Sequence, residues 1–550
     1  MMMKKRFSLL ICMMLVLTML AACTAGKTDK ENKESDPVSA TKKPDSTSEA
    51  AGKMNPTGMP IMKEPITIKM FAGKPPASTD WKELMLWKEY EKMTNIHIDW
   101  VEQVPFANLA EKRNLTLANG DYPEAFYTSY MPATDLIRYG GEGAFLKLND
   151  LIDDYAPNLK ELFDKFPDVK KAVTMPDGNI YTVPTIIDPE FTSARTGGKI
   201  WLNQKWLEVL GIAEPKTTDD FYNMLKMMKE KDFNENGKSD EVPFASVGID
   251  GLLGYLKGAW GLGNRGVSIG NVDMDPDGKG LRFIPADPRY KEVLQFVNKL
   301  YTEKLISEDI FTTDYAKFIA EGSKGAFGSI YGVDPTVTVK QEGFIGSPAL
   351  TGPHGDQLYA AVTSPLIWMG GLVLTDKNEN PEATIRWLDY FYGEEGSRMF
   401  FMGFEGVTYN KADDGKLVYV DDIKNNKDGL NLDQAVSRYL SWPGGGYAGV
   451  VSQKYFQGAE GSEASIAATK KLEPYFPKEI WPYFSFTVEE NDQMAALGAD
   501  IEVYTAEMQA KFITGKVPFT EWDDYVSKLN KMGLKDYLGI YNAAYERYKQ

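Results

Sequence analysis

Ile66-Thr67-Ile68-Lys69-Met70-Phe71, the segment 81–93, and Ile96-His97-Ile98-Asp99-Trp100-Val101 follow one another closely, and their reading decides the fold. The two short runs read as strands. The segment between them sets apolar residues at helical spacing, with Thr79 or Asp80 placed to cap it. The pattern then repeats, because 106–118 is helical and Ala125-Phe126-Tyr127 is a short strand. Strand, helix, strand in alternation predicts βαβ units: an α/β fold whose parallel sheet is covered by helices.

Further along, Phe145 to Ile152 leads through Tyr155-Ala156-Pro157-Asn158 into more helix, and Asp177-Gly178 is a turn before the strand Ile180 to Pro184. A second α/β series begins at Lys199-Ile200-Trp201-Leu202-Asn203, with helices at 204–210, 218–231 and 289–301. An apolar, glycine-containing strand at 364–374 precedes a helix at 381–392, and the last stretch is helical with breaks at Gly515 and Gly533. Two series imply two lobes in one folded unit at 59–550. The first covers about 59–190 with a return segment near 360–420; the second covers about 191–355 plus the C-terminal helices. Ligands of open α/β sheets lie outside the carboxyl ends of strands, so facing lobes place a cleft between them.

The N-terminus says where the chain works. Lys4, Lys5 and Arg6 precede the apolar run 7–20, which ends in Leu20-Ala21-Ala22-Cys23. This is the pattern of a lipoprotein signal peptide, 1–22, cut before Cys23. The Cys23 thiol then carries diacylglycerol with palmitate-type chains, and two buried chains hold a protein at a membrane where one does not. The apolar run is shorter than the ~20 residues a membrane span needs. From Thr24 to Gly58 there is no aromatic residue, so 23–58 reads as the lipidated cysteine and a disordered tether. The chain is expected at the extracellular face of the cell membrane. Cys12, the only other cysteine, leaves with the signal, which rules out an internal disulfide.

A formal net charge of −17 argues against nucleic acid as partner. Only two histidines, His97 and His354, are present, too few for an ordinary zinc enzyme. Eleven Trp, 29 Tyr and 27 Phe leave aromatic rings for a cleft as well as for cores.

Several stretches together resemble the large lipoprotein solute-binding proteins of ABC sugar importers, the branch of family 1 that includes LplA-type and alginate-oligosaccharide-binding proteins. They are the lipobox, Asn119-Gly120-Asp121-Tyr122-Pro123, the segments 145–158, 177–184 and 201–211, Trp387-Leu388-Asp389-Tyr390 with Glu394-Glu395-Gly396, Gly403-Phe404-Glu405-Gly406, Gly515-Lys516-Val517-Pro518, Trp522-Asp523 and 541–548. The resemblance implies a two-lobed periplasmic-binding-protein-like fold of class II, with discontinuous lobes, a hinge and an interlobe cleft. It implies a binding protein and not an enzyme, a monomer that hands an oligosaccharide to ABC permease subunits.

The sharpest motif is Asp232-Phe233-Asn234-Glu235-Asn236-Gly237-Lys238-Ser239-Asp240-Glu241, an acidic loop with side-chain oxygens at alternate positions and glycine at the sharp turn. That spacing wraps one backbone around a hard cation, with the Lys238 carbonyl as a further ligand. It begins like an EF-hand, but Pro243 stands where the twelfth-position glutamate belongs, so Glu241 is the candidate bidentate ligand. Alginate-binding relatives resemble the chain here, which extends the calcium role to Asp232, Asn234, Asn236, Lys238, Asp240 and Glu241, with calcium structural. Asp273-Met274-Asp275-Pro276-Asp277-Gly278 copies only the first half of the pattern and reads as an Asp-Gly hairpin turn. Gly266-Val267-Ser268-Ile269-Gly270 matches a hydrolase nucleophile pattern without the strand and helix it requires. Gly237-Lys238-Ser239 has Asp232 where an ATP-binding loop needs its first glycine.

A sugar site needs flat aromatic faces and groups that satisfy hydroxyls. Glycine-rich loops after strands supply candidates: Tyr127, Tyr130 and Arg138; Trp260 and Arg265; Trp368 before Gly370-Gly371; and Trp442 with Tyr447 around Gly444-Gly445-Gly446. Trp260 and Trp442 are the first choices. The expected function is capture of an oligosaccharide for an ABC permease. The alternatives are a surface-anchored carbohydrate-active enzyme and a ligand-presenting sensor subunit.

Overall fold

The computed structural model describes residues 52–75, 78–233, 235, 237–238, 240–447 and 449–550; the signal peptide, Cys23 and most of the tether lie outside them, as does the side chain of Ile367. The described chain belongs to one compact unit, Glu49–Gln550. Residues 52–58, which composition assigns to the tether, are part of it. Met54 is only 7% exposed and bridges Met62, and the Asn55 side chain donates to the Pro60 carbonyl. One methionine with an apolar partner across a turn is enough to dock so short a segment.

The strand–helix–strand opening forms as its spacing predicts. Ile66–Lys74 pairs in parallel with Ile96–Pro105, Ile66 against Ile96 and Lys69 against Asp99. Between them a short 3₁₀ turn, Trp81–Glu83, is capped by the Asp80 carboxylate, and the helix Met85–Thr94 buries Leu86, Trp87, Tyr90 and Thr94. Asn95 ends that helix in the left-handed region at φ 58°, a conformation asparagine tolerates better than most side chains. The first sheet has six strands in the order Val450–Val451, Val183–Ile187, Leu366–Leu374, Ala125–Tyr127, Ile66–Lys74, Ile96–Pro105.

This sheet is not purely parallel. Leu366–Leu374 runs antiparallel to both of its neighbours, because the chain re-enters the sheet from the opposite end after its excursion through the second lobe. The second sheet departs further from the βαβ expectation. Lys199–Asn203 lies between Ser329–Gly332 and Phe344–Gly346, antiparallel to each, and these partner strands carry no strong sequence pattern of their own. The helices Gln204–Leu210, Thr218–Glu230 and Pro288–Thr302 form within a residue or so of their expected bounds, and Gly515 and Gly533 break the C-terminal helices at positive φ.

Each lobe has its own core. In the first, Trp81, Trp87, Trp100, Tyr127 and Trp387 pack ring against ring, with centroids 5.0–6.1 Å apart. The second buries Phe221, Leu225, Leu252, Trp260, Leu294, Phe512 and Tyr537. The chain crosses between the sheets at 188–198, 347–365 and 452–462. These crossings are bonded to one another. Thr363 N–H donates to the Arg195 carbonyl at 2.9 Å, Arg195 Nε donates back to the Thr363 carbonyl at 3.0 Å, and Ser193 Oγ donates to the Glu460 carbonyl at 2.7 Å.

Candidate functional site

The carboxyl end of the strand Ala125–Tyr127 leads into Thr128 and Tyr130, both non-glycine residues at positive φ (44° and 46°). Such backbone persists only where surroundings enforce it, and here they do. Thr128 Oγ1 donates to the Gly73 carbonyl at 2.6 Å, while the buried Arg113 guanidinium donates to the Ser129 and Tyr130 carbonyls at 3.0 and 2.9 Å. Tyr130 is thereby held with its hydroxyl accepting the Gly446 N–H at 3.0 Å, and burial pushes its pKa up to about 12. The Gly444-Gly445-Gly446 turn has all three residues at positive φ, and a Cβ on Gly446 would sit 2.9 Å from the Phe106 ring. Glycine is required there by both conformation and space.

Four sequence candidates meet around this turn. Tyr130 meets Trp368 edge to face at 5.0 Å, Trp368 lies 5.7 Å from Tyr447, and Tyr447 lies 6.4 Å from Trp442. Phe106 joins them, 4.9 Å from Tyr130. Trp442 is 1% exposed and donates its indole N–H to the Phe401 carbonyl, so it backs the group more than it faces outward. Burial also drives the Tyr447 phenol well above its usual range.

A cavity of about 1320 Å³ opens beside this group. Trp442, Gly444 and Tyr447 line it from the first lobe, Asp334, Thr336 and Lys340 from the second, and Phe456, Gln457 and Glu460 from a crossing segment. Segments of both lobes therefore wall one space, the arrangement expected of an interlobe ligand site. Asp334 is fixed by accepting from Thr336 N–H at 2.8 Å and from Ser462 Oγ at 2.5 Å. Behind the wall, buried Lys199 donates to the Gly197 carbonyl and to Ser465 Oγ, both at 2.9 Å. Burial lowers its pKa to about 8, against the opposing pull of Glu460 and Asp334.

The other candidates lie elsewhere. Tyr127 is fully enclosed in the first-lobe aromatic core, since inward alternation on a central strand points it away from the strand ends. Trp260 is 3% exposed, tilted against Phe296 at 5.5 Å with its N–H on Glu292, because the turn after the helix Asp250–Lys257 directs it into the second core. Arg265 lies over Trp481 at 5.5 Å with Nε 3.3 Å from Glu479. Arg138 is exposed on the helix Ala133–Gly141, 3.4 Å from Glu142. Sequence reasoning missed Phe106, Arg113, Asp334, Asp433 and Glu460. Only Arg113 left a signal, as a charge on the face that Leu109 and Leu117 bury.

The acidic loop has the donor chemistry of a calcium site. Asp232 Oδ2 accepts Gly237 N–H at 2.8 Å, Glu241 Oε1 accepts Phe233 N–H at 2.8 Å, and Glu235 and Gly237 at positive φ curl the backbone between them. Hard carboxylate and carbonyl oxygens around a tight loop fit Ca²⁺. Asn234 and Asn236 lie outside the described residues. Among the described residues no group of three or more His, Cys, Asp or Glu side chains gathers as a metal cluster. Phe233 stacks flat on Trp206, 3.9 Å between centroids, which ties the loop to the second core. The two decoys resolve as the sequence suggested. Asp273 is buried against Arg282 in the hairpin Val272–Met274 with Leu281–Phe283, and Ser268 sits in a turn with its oxygen 3.5 Å from Ser364 N.

The bacterial extracellular solute-binding protein family model matches residues 86–412. The chain is 32% identical over 510 residues to the fructooligosaccharide ABC transporter substrate-binding protein FusA of Streptococcus pneumoniae, covering 89% of this chain and 91% of that protein. It is 25% identical over 489 residues to the lipoprotein LipO of Bacillus subtilis, covering 84% and 89%. The solved structure of FusA in complex with kestose superposes with a TM-score of 0.72 at 28% identity over 88% of this chain and 99% of FusA, and a FusA EF-hand mutant with fructo-nystose superposes at 0.70. FusA is a transporter substrate-binding protein and not an enzyme, in line with the binding role expected from the sequence. The chain belongs to the bacterial extracellular solute-binding proteins.

Proposed function

We propose that the protein is a lipoprotein, anchored through Cys23 at the extracellular face of the cell membrane, that captures an oligosaccharide and delivers it to the permease subunits of an ABC transporter. The observation that carries this reading is the aromatic-walled cavity between the two lobes, in a chain that shares 32% identity with a fructooligosaccharide-binding protein across nearly its whole length. Tyr447 and Trp368 offer ring faces to sugar C–H surfaces, and the carboxylates and amides of the wall take the hydroxyls. The lobes, about 59–190 with a return segment that the first sheet and core extend to Val451, and about 191–355 with the C-terminal helices, close on the sugar by bending at the three crossings, and the closed monomer is the form the permease reads. Calcium held by Asp232, Asn234, Asn236, the Lys238 carbonyl, Asp240 and Glu241 stiffens one loop of the second lobe and takes no part in sugar recognition. A FusA structure described as an EF-hand mutant supports a cation at this loop.

The test is a thermal-shift and calorimetric titration of the mature chain with kestose, nystose and other oligosaccharides. A saturable rise in midpoint, with the sugar recovered intact, supports the reading; recovery of shortened sugar would replace it with an enzyme. Membrane fractionation of a Cys23→Ala variant tests the anchor, and the expected outcome is release from the membrane.

A further inference from the structure

We infer that the cavity accepts uncharged oligosaccharides and rejects acidic ones such as uronates. This rests on the oligosaccharide reading above and concerns the charge of the cargo, which that reading leaves open.

Five carboxylates line the cavity: Asp334, Asp414, Asp433, Glu460 and Glu463. Among the described residues its only lining cations are Lys340, Lys416 and Lys454, and neither arginine nor histidine is among the described lining residues. Two of the lysines already face carboxylates, Lys416 at 3.9 Å from Asp414 and Lys454 bonded to Glu394. Lys199 directs its donors at protein carbonyls and Ser465, away from the space. Arginine, the side chain whose planar fork grips a carboxylate in two places, is what an acidic-sugar site would need here.

The Asp433 charge also acts on Glu460. Burial raises the pKa of both, and the Asp433 charge raises Glu460 further, against the pull of Lys199. A third carboxylate, brought in on a sugar, would add to a repulsion the wall already bears. Sugar hydroxyls do the opposite, because an ionised carboxylate only accepts hydrogen bonds and a hydroxyl can donate one. The net charge of −17 adds a long-range penalty on approach.

The experiment compares matched neutral and acidic oligosaccharides of equal length, fructo- or gluco-oligosaccharides against oligogalacturonates and alginate oligomers, on the mature chain with calcium at neutral pH and low salt. The expected result is binding of at least one neutral series, with acidic partners weaker by roughly tenfold or more, the scale of one close like-charge pair in a partly solvated site. Raising the salt should narrow that ratio through screening, a readout that needs no variant. The paired change Asp433→Asn and Glu460→Gln should narrow it as well, whatever it does to neutral affinity. Acidic sugars binding as tightly as neutral ones, or a ratio indifferent to both salt and the paired change, overturns this inference alone. Failure of every sugar to bind overturns the oligosaccharide reading itself, and the inference with it.

Discussion

Arg113 shows how one residue shapes the site without touching cargo. Its guanidinium is buried, its pKa is lowered by that burial, and it donates to two successive carbonyls of a strained turn. Replacing it with methionine keeps the volume but leaves the Ser129 and Tyr130 carbonyls without their donor, which should cost about 2–3 kcal/mol of stability. The loss of sugar affinity should exceed what the stability change explains, because Tyr130 is released from its left-handed conformation. Chemical denaturation alongside calorimetric titration checks both, and Arg113→Lys should restore part of the loss, since Arg113 reaches both carbonyls through the single nitrogen Nη1. Trp368 makes the complementary case. It is half-buried, and Trp368→Ala should lower affinity by about 1–3 kcal/mol with a smaller effect on folding, read as a change in Kd without a matching shift in the denaturation midpoint.

At the scale of elements, the Phe233–Trp206 stack ties the acidic loop to a packed core, so a cation taken up by the loop as proposed would be felt in that core. Adding a calcium chelator to the wild type should lower the unfolding midpoint and alter tryptophan fluorescence, while the paired change Asp232→Ala and Glu241→Ala should start at the lower midpoint and ignore the chelator. Unaltered melting of the wild type in chelator would remove calcium from the loop. The elements themselves divide by how much of their stabilisation is local. Helices such as Gln204–Leu210, with Asn203 as cap and Gly211 as stop, were readable because cap, apolar spacing and terminator lie within one short stretch. Ser329–Gly332 and Phe344–Gly346 were not readable, since three- and four-residue strands are selected by the partner they find across the sheet. The same distinction holds at the site. Glycine and aromatics marked the turn at Gly444–Gly446, whereas Asp334, Asp433 and Glu460 are ordinary carboxylates until the fold brings distant segments to one wall. Trp260 and Tyr127 misled for the converse reason: an aromatic beside glycine looks the same whether it turns toward a cleft or a core.

Across the whole molecule, closure of the lobes as proposed would bend the three crossings while they stay joined, and Lys199 sits where two of them meet. It stands at the start of Lys199–Asn203, takes the Ser193 and Gly197 carbonyls of one crossing, and reaches Ser465 beyond the other. Glu460 and Asp334 are the charged groups whose fields act on it. Burial lowers its pKa from 10.5 to about 8, so between those values the unfolded chain holds a proton that the folded chain has released. Stability attributable to this group must therefore rise with pH from about 8 to 10.5 and fall back as pH drops through 8, by a few kcal/mol at most on the linkage relation. Tyrosines titrate near the top of that window, so the informative quantity is the difference between the wild type and Lys199→Met. The variant should lose the upward slope between pH 8 and 9.5, whatever the loss of the bonds to Ser193, Gly197 and Ser465 does to its stability at pH 7. Equal slopes in the two proteins would mean that Lys199 keeps an ordinary pKa, and that the crossings yield enough for water to reach it.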